Sequence, residues 1–185
     1  MTRKTDRRVL TTIGAVALAG TLAACGGGQP GAAAVVGDRV VRASDVDTAT
    51  RELADVLQGV TQSAIVGVLV QEPVIARHAE DAGVGVSTEQ AEDALDAQVV
   101  AAGGQAGREF SDASVTVMRY VMEIQGLQDS DDAEQALTDL QADLGALDFT
   151  VSPRYGTAGE NGTIGTTTYA WLVPATDDDA AVPAP

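Results

Sequence analysis

Between positions 62 and 82 runs the segment that most limits how this chain can fold. Its apolar residues Ile65, Val66, Val68, Leu69, Val70, Val74, Ile75 and Ala79 fall on more than one face of a helix. A helix of that kind has to be covered on several sides, so the other elements must pack around it. Pro73 lies inside it and removes one main-chain hydrogen bond, which predicts a kink. Gly83 follows as the C′ stop.

The flanking segments read as amphipathic helices. Val46, Ala49, Leu53, Val56, Leu57 and Val60 predict a first helix over 45–59, opened by a Ser44–Asp47 capping pair. Ser87 and Gln90 form a second capping box before a helix over 88–101, which a glycine-rich loop at 103–107 ends. A fourth helix spans 112–126 and carries Val115, Met118, Val121 and Met122, with Leu127 just beyond. A fifth follows Asp131 and Glu134, with Ala133, Ala136, Leu137, Leu140 and Leu144 on one face.

Strand signals lie at the two ends of this helical region. Residues 34–41 hold two β-branched pairs around Gly37-Asp38, and 148–156 read as a strand ending in a turn. Each is too short to be stable alone. They are therefore expected to pair, burying Val36, Val41 and Val151 and fixing Arg154 and Tyr155 at the edge. The predicted fold is mainly α, about five helices with a small two-stranded β element joining the N- and C-terminal ends of the domain.

The N-terminal 24 residues have the layout of an export signal: basic residues Arg3, Lys4, Arg7 and Arg8, then an apolar stretch to Leu22. The only cysteine, Cys25, closes Leu22-Ala23-Ala24-Cys25 and precedes three glycines. This pattern resembles the lipobox of bacterial lipoproteins. The resemblance implies cleavage after residue 24, a diacylglycerol group on the Cys25 thiol, and anchoring on the outer face of the cell membrane. Residues 25–34 then read as a flexible tether.

Charge sharpens this expectation. The chain carries 27 acidic and 11 basic residues, a net charge of −16. The leader holds four of the basic residues and one acid, so the part from Cys25 onward carries 7 basic against 26 acidic, net −19. Such a surface excludes nucleic acid as a partner and electrostatic adhesion to anionic lipid. The membrane contact would rest on the lipid. With the one thiol lipidated, no disulfide can form, and packing alone must hold the fold.

The order of short strand, helix, long apolar helix, glycine and capped helix resembles the N-terminal domain of the SurA-type periplasmic chaperones. The matching stretches are 34–47 and 82–95, with the long helix at 65–79 between them, so the resemblance covers about 34–128. Val151-Ser152-Pro153-Arg154-Tyr155-Gly156 is also similar to the Asn-Pro-Arg-Tyr-Gly strand of actinobacterial lipoproteins that carry this domain. Here Ser152 replaces the asparagine, and no tryptophan follows soon after the glycine. The resemblance implies a SurA N-terminal-like domain over 35–156. The parvulin isomerase of full-length relatives has no room, since one helix separates 127 from 149, and its paired histidines are reduced to His78. An extended segment at 157–173 and a disordered acidic, proline-rich tail at 174–185 complete the chain.

Few residues carry chemistry. His78 has no partners that complete a metal set or triad and reads as a solvated or half-buried helix residue. The acids at 129–134 lack the spacing of a calcium loop. Arg154 and Tyr155 either pin the C-terminal strand to the helices or present a binding surface. Met118 and Met122 read as core, with a minor binding role open because methionine suits adaptable surfaces. No cofactor and no metal is implied. The expected function is a membrane-anchored, non-enzymatic lipoprotein with chaperone-like holding of unfolded or exported proteins. The alternative is a partner-binding lipoprotein with one dedicated envelope protein. An exposed apolar groove would favour the first, and a compact patch around the Pro-Arg-Tyr strand the second.

Overall fold

The computed structural model describes residues 29–167. The leader, Cys25, the outer part of the C-terminal segment and the tail at 174–185 lie outside the described residues. The chain opens with β1 (Ala32–Val36) and β2 (Arg39–Arg42), an antiparallel hairpin turned at Gly37-Asp38. Gly37 takes φ +54° there, a conformation glycine adopts without steric cost. Five helices follow: α1 (Ala43–Leu53), α2 (Gln62–Asp81), α3 (Thr88–Ala101), α4 (Asp112–Asp129) and α5 (Ala133–Gly145). β3 (Phe149–Val151) then returns to pair antiparallel with β1, setting Ala34 opposite Val151 and Val36 opposite Phe149.

The fold is thus mainly α, with a small sheet that joins the two ends of the helical region. The sheet has three strands, ordered β2-β1-β3, rather than two. The additional strand arises because residues 32–42 fold back on themselves at the Gly-Asp turn.

α2 is the central helix. Eight of its 20 residues are buried, on more than one face, and α4 packs along it most extensively. α1 and α3 flank α4, and α5 lies against both α2 and α4. The main core takes Ile65, Val66, Leu69 and Val70 from α2 together with β1, α1, α3, α4 and Phe149. A second cluster takes Val74, Ile75 and Ala79 with Leu127 and Leu140. Pro73 stands between the two. Helix α2 runs on through it, and the Leu69 carbonyl, four residues earlier, has no proline N–H to receive. The Arg39 guanidinium from β2 donates to that carbonyl instead.

Local chemistry sets most helix ends. Ser87 and Gln90 make both bonds of the capping box at the start of α3. Gly83, at φ +73°, closes α2 in a Schellman motif: its N–H bonds to the Glu80 carbonyl and that of Val84 to Ala79.

Three expectations are corrected. The tether does not extend to residue 34, because β1 starts at Ala32, and a bulge between Ala32 and Ala34 turns both Ala33 and Ala34 into the core. Helix α1 ends at Leu53 rather than 59. Tight turns carry the chain onward, so Val56, Leu57 and Val60 keep their contact with the core without being helical. The Ser44–Asp47 capping pair does not form. α1 starts at Ala43 directly after β2, which places Ser44 inside the first turn, where its hydroxyl meets Asp45.

The segment after β3 belongs to the same domain. β4 (Thr157–Ala158) and β5 (Ile164–Gly165) form a second antiparallel pair around a single 3₁₀ turn at Glu160–Gly162. This small hairpin lies on α2, with Gln71 donating to the Asn161 carbonyl at 2.8 Å and Ile164 packing against the main core.

Candidate functional site

The Pro-Arg-Tyr-Gly sequence forms the turn that follows β3. The Tyr155 N–H bonds back to the Ser152 carbonyl at 2.9 Å, and the Ser152 N–H extends the pairing of β3 to Ala33 at 2.8 Å. Gly156 takes φ +140°, and a Cβ there would lie 2.2 Å from the Gly165 carbonyl oxygen. Only glycine lets β5 approach this closely.

The structure sends Arg154 and Tyr155 in different directions. Tyr155 is buried in the main core, where its hydroxyl has no partner and burial pushes its pKa up. Arg154 stays largely exposed, lies over the Tyr155 ring at 5.3 Å, and reaches Asp47 of α1 at 3.4 Å. Asp47 also accepts a bond from Gln62 at 2.5 Å. An exposed ion pair of this sort contributes little, and the buried tyrosine ring does the pinning.

Met118 is buried in the main core at 4% exposure and offers no binding surface: α4 packs along α2, and that face of it is covered. Met122 is half-buried against the same core. Neither lines the cleft described next. His78 bonds through Nε2 to Asp143 of α5 at 2.9 Å, and Arg77 shares that carboxylate at 2.6 Å. Their pull, the His78 bond first, holds the Asp143 carboxyl below its ordinary range. Among the described residues no group of three histidine, cysteine, aspartate or glutamate side chains is placed to hold a metal ion.

Beside the turn lies a cleft of about 570 Å³, lined by Gln29, residues 31–35 of the first strand region and residues 150–153. Its size falls in the range of ordinary binding sites. Glycine and alanine dominate the first wall, which leaves main chain close to the surface. The pairing of Ser152 with Ala33 and the alternation of antiparallel ladders direct the N–H and C=O of Thr150 to β1 and those of Val151 away from it. Among the described residues, no main-chain group bonds to that outer edge of β3. The opposite edge of the sheet, β2, carries Arg39 and Arg42, whereas β3 is Phe149-Thr150-Val151 and uncharged. Charged edges resist further pairing and uncharged ones accept it.

Two polar groups, one half-buried and one buried, were not read from the sequence. Glu52 of α1 accepts bonds from the Ser111 N–H at 2.9 Å, the Ser111 hydroxyl at 2.7 Å and the Ser114 hydroxyl at 2.6 Å. Burial pushes its pKa up, but the bonds from Ser114 and Ser111 and the Arg108 charge outweigh that and leave it lowered. Glu123 of α4 is 1% exposed, takes the Val86 N–H at 3.4 Å, and lies 3.6 Å from Arg119, with its second oxygen unpartnered. Burial raises its pKa. Serine at the start of α4 is a visible cap signal for the first group. Nothing local signals the second.

No family model, no curated protein and no solved structure matches this chain. Among the described residues, no helix is long and apolar enough to cross a membrane.

Proposed function

We propose that this chain is a lipid-anchored protein of the outer face of the cell membrane, which binds an extended segment of one dedicated envelope protein and catalyses nothing. The unpaired, uncharged outer edge of β3 carries this reading. An extended chain added to that edge gains main-chain bonds from Val151 and continues the sheet beyond β3. The anchor rests on the leader and on Cys25, and the general plan on the SurA-type resemblance.

A dedicated partner is favoured over broad chaperone-like holding because the apolar surface is confined. Among the described residues only Val100 and Val121 are exposed large hydrophobic side chains, at 53% and 44%, and they form no cradle for many clients.

Proximity labelling from intact cells tests the function. One strongly labelled envelope protein, lost in Val151→Pro, is the expected result. Proline there removes only the outward N–H and leaves the pairing with β1 in place. Many unrelated exported proteins, labelled equally in both, would return the function to chaperone-like holding. Membrane fractionation tests the anchor: Cys25→Ala should be uncleaved or released, and anchoring like that of the wild type would remove it.

A further inference from the structure

The main-chain groups of Val151 point away from β1, and by the same alternation so do those of Phe149, while those of Thr150 face β1. The outer edge of β3 thus offers donors and acceptors at the spacing of an antiparallel partner, and its own sequence can meet them. With Thr150 opposite Thr150 of a second copy, Val151 exchanges both bonds with the second copy's Phe149, and Phe149 with its Val151. A register centred on Val151 would set Phe149 against Pro153 instead. Pro153 has no N–H, and its carbonyl already accepts from the Thr167 hydroxyl at 3.3 Å.

The side chains agree with the Thr150-centred register. Phe149 turns into the core and Thr150 to the opposite, exposed face. There Thr150 continues the row in which Val40 stands opposite Val35 and Val35 opposite Thr150, and threonine pairs of this kind stabilise a sheet. Asp148, exposed directly before β3, comes opposite Ser152 and beside the turn that carries the exposed Arg154. The two-fold repeats this contact, so an acid meets a cation at both ends of the joint.

We infer that β3 pairs antiparallel with β3 of a second copy of this chain, joining the two sheets in the order β2-β1-β3-β3-β1-β2. The two-fold axis stands normal to the sheet, so both chains leave it on the same side. Anchors on Cys25, four residues before Gln29, can then enter one bilayer. A strand of three residues and the net negative charge keep the dimer weak in solution, and confinement to a membrane raises the effective concentration. The inference rests on the anchor and the binding edge of the proposed function, and it adds that a partner segment and a second copy exclude one another.

Thr150→Cys in intact cells tests it. The pair across the two-fold sets the new thiols at the separation a disulfide spans. Oxidation with copper phenanthroline should give a reducible dimer that is lacking in the wild type, in Thr88→Cys at the exposed start of α3, and in Thr150→Cys combined with Val151→Pro. No dimer from Thr150→Cys, or an equal yield from Thr88→Cys or in the presence of Val151→Pro, would overturn the inference. Proximity labelling separates it from the function it rests on. A locked dimer that loses the labelled partner supports both. A locked dimer that labels the partner as before keeps this inference and takes the partner off this edge. No dimer, with labelling still lost in Val151→Pro, removes this inference and keeps the partner.

Discussion

The guanidinium of Arg39 donates to the main-chain oxygen of Leu69, the one carbonyl of α2 that Pro73 deprives of its helical donor. A proline inside a central helix is tolerated because a strand residue 30 positions earlier supplies the missing bond. This same bond ties the β1–β2 hairpin to the core helix.

Arg39→Ala should therefore destabilise the domain by about 1–3 kcal/mol, the cost of leaving a buried carbonyl unsatisfied. Adding Pro73→Ala restores an N–H to position 73 and should recover most of that loss. A double-mutant cycle read by chemical denaturation checks it. Equal losses with alanine and with proline at 73 would show that the two residues are not coupled.

Glu52→Ala should cost about 1–3 kcal/mol, because it strands the buried Ser114 hydroxyl and two donors of Ser111. The folded state lowers the Glu52 pKa. Its contribution is therefore complete above the ordinary glutamate range and is lost as pH falls through the folded value. Melting of wild type and variant should converge in acid, and a constant difference down to low pH would contradict the assignment.

Glu123 has the opposite sign. Burial raises its folded pKa, so the ionised carboxylate weakens the fold above that value, and stability rises as pH falls from there towards the ordinary glutamate range. Glu123→Gln should keep the acceptor for the Val86 N–H, melt higher at neutral pH and lose this part of the pH dependence. A variant that melts lower at neutral pH, with the pH dependence intact, would show that the pairing with Arg119 dominates.

Phe149→Ala should cost about 3–5 kcal/mol, since its ring is 8% exposed in the main core. Truncation after Ala146 should cost more. It removes β3, the buried Tyr155 ring and the contact of Ile164 with the core, and it uncovers a second edge of β1. Circular dichroism melting checks both, and a truncated chain as stable as the whole would mean that the sheet is an ornament on an independent helical bundle.

Gly156→Ala should destabilise by more than 1 kcal/mol, because the position combines φ +140° with a carbonyl 2.2 Å from where the new Cβ would stand. Its effect should concentrate on hydrogen exchange of β4 and β5. Unchanged protection there would contradict the close approach of β5 to the turn.

The helices were legible because their signals are local. The periodicity of α2, the Ser87–Gln90 box and the Gly83 stop each act within a few residues, and each is found in place. The pairing of β1 with β3 was legible for a different reason: two short β-prone segments had no other strand to stabilise them. The Ser44–Asp47 box failed because β2 runs without a linker into α1, and Asp47 instead meets Gln62 and Arg154. At the candidate site, Arg154 and Tyr155 were visible as a pair, but not that one is buried and the other exposed. Met118 was ambiguous because a methionine on an apolar stripe serves a core and a surface equally well.

By itself the sequence determined the number and order of the helices, the most buried of them and the closure of the domain by its two ends, since periodicity, caps and β-propensity are properties of neighbours along the chain. Only the tertiary structure decided which polar groups share a bond across it. Arg39 with Leu69, Glu52 with Ser111 and Ser114, and Glu123 with Val86 and Arg119 each depend on how helices and strands are rotated against one another. The cleft and the open edge of β3 belong to the same class: the cleft exists only where pairing brings residues 31–35 beside 150–153, and no pattern in the chain records that β3 keeps one edge unpaired.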